Sequence, residues 1–476
     1  MKEGYLPKDQ RKKILLITDD IRLPSGVGNI GKEIVIHTSH RYNWVNLGAA
    51  INHPDIGKKF DLSPDTNQNA QIDDSQVTIY PSNGYGDAGL LRGLLNAEKP
   101  DAIMLITDPR YFAWLFAIEN EIRKNIPIIY LNIWDDYPAP YYNKAFYESC
   151  DALLGISKQT VNINKLVLGN KVKNKIIEYV PHGLNTDLFY PIVNKENDSK
   201  FQEFKKHLFK GKEYEYVVFF NSRNIRRKQI PDTLLAYKLF VEQLPKEKAD
   251  KCALLLHTEV ITEAGTDLNA VIETLCPECN IVFSPGRLDP GAMNYLYNIA
   301  DVQILLTSNE GWGLSLTEAM LTGTPIIANV TGGMQDQMRF EFEDGTWIDF
   351  DADFPSNHRG TYKKHGKWAF PVFPTSRSVQ GSPATPYIFD DRCTWEDAAE
   401  RLTEVYNLSK EKREERGLEG RKWATSDEAG FTSKHQAQRF IKATDLLFNT
   451  WTPREKFELV NANEYKKPVL NHKLIY

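Results

Sequence analysis

What most restricts the fold of this chain is an alternation that occurs twice. Short apolar runs of strand length are followed by segments with helical spacing, in two blocks separated by a polar, lysine-rich stretch. In the first block the runs fall at 14–18, 43–47, 77–80, 102–106, 128–133, 152–156 and 176–179, with helical spacing at 29–38, 111–124 and 158–166. In the second they fall at 216–220, 253–257, 280–283, 302–306 and 324–329, with helical spacing at 231–243, 268–275, 291–298 and 315–322. Runs with no polar alternation belong to strands covered on both faces, which means parallel sheets flanked by helices. A chain of 476 residues also exceeds what one core accommodates. The reading is α/β with two Rossmann-like domains, at 1–190 and 216–430, joined by a linker at 191–215. Further helical patterns at 395–406 and 434–450 lead to a terminal segment, 431–476, expected to pack back on the first domain.

The stretch 340–386 fits neither period and reads as an insertion. It is acidic at first and then basic and aromatic, with His358, Arg359, Tyr362, Lys363, Lys364, His365, Lys367 and Trp368. A loop of that length is usually functional or disordered, and its rings favour an ordered one.

Composition excludes several classes. A net charge of −5 gives no broad electrostatic capture of nucleic acid, although a local basic groove is compatible with it. The apolar runs are too short to span a bilayer, and the charged start lacks the apolar core of a secretory signal, so a cytoplasmic enzyme is expected. Five cysteines make an odd number for a disulfide framework. Cys276 and Cys279 form a single C-x-x-C without a second pair or histidines at ligand spacing, so no metal is expected.

The most informative segment runs Ser308-Asn309-Glu310-Gly311-Trp312-Gly313-Leu314-Ser315-Leu316-Thr317-Glu318-Ala319-Met320. It follows an apolar run and opens a helix. Glycines let a backbone approach a ligand closely, and the free N–H groups of a helix start favour an anion such as a diphosphate. Glu310 at the loop rim and Glu318 in the helix can face one cleft and accept hydrogen bonds from sugar and ribose hydroxyls. Taken alone, the same glycines also suit a tight turn beside two solvated carboxylates.

With its flanks, this segment resembles the signature of the retaining glycosyltransferases of GT-B fold grouped as glycosyltransferase family 4. That signature is a glutamate, seven residues and a second glutamate, then Gly323-Thr324-Pro325 and the pair Gly332-Gly333. The resemblance implies two facing Rossmann-like domains with Glu318 on the donor ribose and Glu310 on the transferred sugar. Gly311, Trp312, Gly313, Leu314 and Ser315 would contact sugar and phosphate through their backbone. It also implies that Arg223 and, five residues on, Lys228 hold the donor diphosphate, with no metal or other cofactor required. Ser25-Gly26-Val27-Gly28 matches the family's glycine loop, so Gly26 and Gly28 would lie near the phosphates. Arg287, in Ser284-Pro285-Gly286-Arg287, would border the nucleobase. The donor expected on this basis is a nucleotide-sugar of the UDP type.

The chain departs from the family after the 128–133 run. A histidine is usual there, and this chain has Trp134-Asp135-Asp136. Either aspartate suits orienting an acceptor hydroxyl or taking its proton, and the pair equally suits capping a turn. The acceptor stays open. Residues 23–28, 37–40 and 42–48 are more loosely similar to glycosyltransferases of tailed bacteriophages, some of which modify hydroxymethylated DNA bases. That would place the protein in a host cytoplasm. It would also give Trp134, Asp135, Arg359, Lys363, Lys364 and Trp368 an acceptor role, with cations for phosphate and rings for an extruded base. A surface glycan or lipid-linked sugar is the other acceptor. A nucleotide-sugar-binding module without turnover is the alternative of another class, although Arg223, Lys228 and Glu310 are all present.

Overall fold

The computed structural model describes residues 4–351, 354, 357 and 360–455. Two sheets carry the architecture. The first has eight strands: β1 (Lys12–Asp19), β2 (Tyr42–Ala50), β3 (Phe60–Asp61), β4 (Val77–Asn83), β5 (Ala102–Ile106), β6 (Ile128–Asn132), β7 (Ala152–Gly155) and β8 (Ile176–Tyr179). They run in the order β3-β4-β2-β1-β5-β6-β7-β8, parallel except for the short edge strand β3. The second has six strands: β9 (Tyr216–Asn221), β10 (Cys252–His257), β11 (Ile281–Phe283), β12 (Val302–Leu305), β13 (Ile326–Asn329) and β14 (Ala369–Val372). Its order is β11-β10-β9-β12-β13-β14, and every pairing is parallel. In both sheets the strand order reverses beside the first strand of the block, which opens a crevice at the strands' C-terminal ends.

The apolar runs lack polar alternation because both faces are covered. Along β1, Ile14 and Leu16 enter one core while Leu15 and Ile17 enter the other. The chain leaves the first unit near Leu184 and returns beside it. The Leu184 amide donates to the Phe431 carbonyl, and the Ser433 amide donates to the Leu184 carbonyl. The returning helix, Ser433–Thr450, lies against the first sheet's covering layer, where Asp445 accepts from the Tyr42 hydroxyl at 2.7 Å and pairs with Arg41 at 2.8 Å. Residues 456–476 of the expected terminal segment lie outside the described residues.

Three features differ from the sequence reading. The 111–124 pattern is broken into Pro109–Phe112, Ala113–Phe116 and Glu119–Ile122. The 340–386 stretch contributes buried β14, which pairs with β13. It also begins an antiparallel hairpin of β15 (Ser376–Ser382) and β16 (Thr385–Arg392). Among the described residues, no helix is long and apolar enough to cross a membrane, and no group of three or more His, Cys, Asp or Glu side chains is placed to hold a metal.

Candidate active site between the two sheets

The C-terminal edges of the two sheets face each other, and the glycine loops set how closely they meet. A Cβ built at Gly311 would lie 2.7 Å from the Ile133 carbonyl oxygen and 3.1 Å from Asp135 Oδ1. One at Gly333 would collide with the Gly311 carbonyl oxygen. Gly26, from the first unit, would meet Leu314 Cδ1 at 3.7 Å. Residues without a side chain at 311 and 333 allow the loops after β6, β12 and β13 to converge in this way, and Gly26 brings the loop after β1 into ordinary contact with them.

Glu310 lies at the centre. One of its oxygens accepts from Arg227 Nη1 at 2.9 Å and from the Lys228 ammonium. Burial pushes the Glu310 carboxyl up, but the charges of Arg227 and Lys228 outweigh it and hold the group at about 2. Lys228 is itself buried, which lowers its ammonium below the usual range despite Glu310. An anion brought beside it would reverse that tendency. Arg227 also donates to the Asn309 carbonyl at 2.7 Å, so one guanidinium fixes the loop and pairs its carboxylate.

Eight residues on, Glu318 is half-buried in the helix Leu314–Leu321 and accepts from Asn221 at 3.3 Å and from the Tyr297 hydroxyl. Burial lifts its carboxyl to about 6, with Tyr297 and Asn221 opposing. The helix starts at Gly313, whose φ of +87° is a left-handed conformation suited to glycine, and no side chain caps it. The N–H groups of its first turn therefore have no side-chain cap, and Leu314 at that start packs toward Gly26.

The structure separates the remaining sequence candidates. Arg223 is not beside Glu310. Its side chain is 81% exposed and stands 3.9 Å from Glu259. The three-residue turn Arg226–Lys228 aims Arg227 inward instead, a residue that the family spacing passes over. Gly28 is committed to structure, since its amide donates to the Ser25 hydroxyl that caps the helix Gly26–Thr38. Trp312 is buried. Its indole donates to Thr317 at 3.0 Å, its ring packs on Phe431, and its carbonyl accepts from Gln337, so it serves as a packing residue. Ser315 is buried in the first turn of the helix Leu314–Leu321, and Arg287 is exposed on the loop after β11.

Asp135 and Asp136 have different fates. Asp136 is fully buried and accepts from the Tyr137 amide, from Gln159 and from Thr331, whose hydroxyl also reaches Asp391 at 2.9 Å. Burial, with the nearby charge of Asp391, raises its carboxyl well above the usual range, so it is an interdomain tie and not a group facing substrate. Asp135 takes no side-chain hydrogen bond among the described residues. Burial, joined by the charge of Glu310 and opposed by Arg227, raises its carboxyl, and its Oδ1 lies against the Gly311 backbone. Trp134 is buried, and its indole donates to the Asp136 carbonyl at 2.8 Å.

The basic, aromatic part of 340–386 does not form an acceptor surface around Trp368. That indole is buried, stacks on Trp423 with centroids 5.1 Å apart and donates to the Gln337 carbonyl at 3.0 Å. Lys364 pairs with Glu343 at 2.8 Å, Lys363 is exposed, and Arg359 and His358 lie outside the described residues.

The sequence reading also missed Asn221, Tyr297 and the β15–β16 hairpin. Asp390 in β16 accepts from Ser308 at 3.0 Å and Asn309 at 2.8 Å, and the Asp391 amide donates to the Ser308 carbonyl. On the other side the Phe389 amide donates to the Tyr137 carbonyl, so the hairpin straddles the cleft.

Residues 199–353 match the family described as "Glycosyl transferases group 1". The chain is 26% identical over 192 residues to mannosylfructose-phosphate synthase of Agrobacterium fabrum, which covers 40% of this chain and 39% of the relative. The match thus spans about two fifths of that curated relative. Among solved structures, sucrose-phosphate synthase from Thermosynechococcus elongatus aligns with a TM-score of 0.63 at 16% identity, over 92% of this chain and 100% of that one. Anabaena HepE in complex with UDP and glucose aligns with a TM-score of 0.61 at 14% identity, over 92% and 100%. The fold is GT-B, and the chain carries a group 1 glycosyl transferase domain.

Proposed function

We propose that this chain, with its group 1 glycosyl transferase domain on a GT-B fold, moves a sugar from a UDP-type nucleotide-sugar to an acceptor hydroxyl with retention at the anomeric carbon. The observation that carries this reading is the convergence at one cleft of Glu310, Arg227 and Lys228 with the uncapped helix start at Gly313 and with Glu318. In this reading Glu318 accepts the ribose hydroxyls, and the N–H groups after Gly313 meet the diphosphate. Lys228, which has three donors, keeps Glu310 and still offers a proton to the leaving phosphate. That HepE is crystallised with UDP and glucose on the same fold supports a donor of this class.

The chemistry asks little covalent work of the protein. The acceptor oxygen forms its bond to the anomeric carbon on the side from which the diphosphate departs. The bond between carbon and phosphate oxygen breaks with its electron pair going to the diphosphate, and the acceptor proton passes to the departing phosphate. Arg227 and Lys228 stabilise the charge that builds there, and the closed cleft holds donor and acceptor in register. Asp135 orients the acceptor hydroxyl.

The test is nucleoside diphosphate release from a panel of UDP-, GDP- and ADP-sugars, with the anomeric configuration of the product read by NMR. Release confined to UDP-sugars with retained configuration is expected. An inverted product would overturn the stereochemical assignment, and neither binding nor release with any donor would overturn the enzyme reading.

A further inference from the structure

The C-x-x-C at 276–279 is left unused by the cleft chemistry. The other three cysteines are committed to packing. Cys150, Cys252 and Cys393 are buried, and the first two thiols donate to the carbonyls of Phe146 and Lys248, each at 3.3 Å. Buried free cysteines of that kind behave as small apolar side chains. Cys276 and Cys279 are placed differently. The helix Leu268–Leu275 ends with the Cys276 amide donating to the Ile272 carbonyl at 3.0 Å, and the Cys279 amide donates back to the Cys276 carbonyl at 3.1 Å. Residues 276–279 therefore make a β-turn, with Pro277 and Glu278 exposed at its tip. The two thiols share a hydrogen bond across it. Beyond the turn, the Ile281 amide donates to the Cys279 carbonyl at 3.0 Å, and the Asn280 side chain donates to the carbonyls of Asp250 and Cys252 at 3.2 Å, so both ends are anchored.

A β-turn brings its first and last Cα atoms within about 7 Å, and a disulfide spans about 4.4–6.8 Å, so this pair can close with its backbone in place. A cross-link around so short a loop removes little entropy from the unfolded chain, which suits an exchangeable bond better than a structural staple. Cys279 is half-buried and Cys276 is buried, so a reagent meets Cys279 first and Cys276 is reached through its neighbour. The charge of Lys238, on the helix Ile230–Glu242, favours the thiolate of either sulfur, with Glu242 opposing at Cys279. We propose that Cys276 and Cys279 form a dithiol–disulfide couple that exchanges with small-molecule disulfides. The Cys279 thiolate attacks one sulfur of the reagent, whose S–S bond breaks to release a first thiolate and leave a mixed disulfide. The Cys276 thiolate then attacks the Cys279 sulfur and releases the second. The two cysteine protons end on the two released thiolates, so the cysteines lose two electrons and the reagent is reduced to two thiols. The couple is independent of the glycosyltransferase reading, because the turn precedes β11 at the sheet edge opposite the cleft.

The experiment uses the full chain with glutathione disulfide as the probe, for wild type, Cys276→Ser, Cys279→Ser and Cys252→Ser. After acid quenching, thiols are counted in denaturant, adducts are read by intact mass, and the linked pair is located by peptide fragmentation. Wild type should lose two of its five thiols, carry no adduct at the end, and recover both thiols on dithiothreitol. Cys276→Ser should keep glutathione on Cys279 as a stable mixed disulfide. Cys279→Ser should react at least about tenfold more slowly, since its remaining thiol of the pair is covered. Cys252→Ser should still lose two thiols. The wild-type fragment map decides the pairing even where a serine variant fails to fold. No loss of thiols, an adduct that persists on wild type, a bond that includes Cys252, or an undiminished rate in Cys279→Ser would each overturn the assignment.

Discussion

Arg227 and Arg223 make opposite predictions from one basic run. Arg227 Nη1 stands 2.9 Å from Glu310, with side chains 32% and 13% exposed. At an effective dielectric of about 20 that separation corresponds to roughly 6 kcal/mol of gross attraction, most of it offset by desolvation. Removing one partner of a buried pair typically costs about 3–5 kcal/mol. Lys228 still holds Glu310, so Arg227→Ala is expected to cost about 2 kcal/mol. Loss of one cation from the departing diphosphate should lower kcat about a hundredfold, as removal of one preorganised donor does elsewhere. Arg223, four-fifths exposed and 3.9 Å from Glu259, should cost at most about 0.5 kcal/mol as Arg223→Ala. Its kcat should change less than about threefold. The assay pairs urea midpoints with UDP release under saturating donor, and Arg227→Lys separates charge from the fork geometry that also holds the Asn309 carbonyl. If Arg223→Ala proves the slower enzyme while Arg227→Ala turns over normally, the site has been built around the wrong guanidinium.

Donor affinity should depend on Glu318, whose carboxyl is lifted to about 6 by burial. UDP binding by calorimetry should be flat above about pH 7 and weaken toward about tenfold per pH unit once well below the Glu318 pKa, and Glu318→Gln should abolish the dependence. Stability without ligand runs the other way. The ordinary value is 4.5, so this group's contribution, about 2 kcal/mol, is full below that pH and is lost as pH rises through about 6, which wild-type and Glu318→Gln urea titrations would reveal. Gly333→Ala, whose Cβ would collide with the Gly311 carbonyl, should lose about 3 kcal/mol and most activity; a normal melting temperature would contradict the close approach. Asp135→Asn should lower kcat about tenfold or more with UDP affinity intact, whereas Asp136→Asn should retain near-normal turnover; equal losses would void the distinction between them.

Much of this was legible because the signals were local. The strands at 102–106 and 176–179 coincide with β5, an uninterrupted apolar run buried throughout, and with β8, a half-buried edge strand that carries Glu178. Glu310 and Glu318 stood out because their spacing, with Gly323-Thr324-Pro325 and Gly332-Gly333 downstream, resembles a family signature, whereas the glycines alone also suited a tight turn. What was missed depends on contacts that sequence does not display. The helix Lys410–Ala424 has almost no apolar stripe, because glycines make its contact face. Gly417 lies under the Gly323 carbonyl, and a Cβ at Gly420 would come 2.7 Å from the Trp368 ring. β14 contains Pro371, a residue that argues against a strand except at a sheet edge, and the edge is where β14 lies. Arg227 differs from Arg223 only through the turn that follows β9, which reverses which guanidinium faces inward.

The neighbours Asp135 and Asp136 show how the two units are held without sealing the cleft. Asp136 points away from solvent and shares the Thr331 hydroxyl with Asp391, which is paired with Arg377 at 2.7 Å. Burial and the nearby charge of Asp391 raise the Asp136 carboxyl well above the usual range, and the Thr331 hydroxyl lies 2.9 Å from an oxygen of each carboxyl group. The chain of contacts from the first unit through Thr331 to the hairpin ends on Arg377, and an asparagine at 136 keeps an oxygen for the Tyr137 amide and Gln159 and offers an amide to the Thr331 hydroxyl. Because that tie consumes Asp136 and spares Asp135, one residue can fix the spacing of the sheets while its neighbour keeps a carboxylate open to the cleft. The hairpin makes this possible. It supplies Asp391 to the tie and Asp390 to the Ser308–Asn309 loop, and its Tyr387 meets Tyr142 of the first unit edge-on at 4.8 Å, so the same two strands bridge both units.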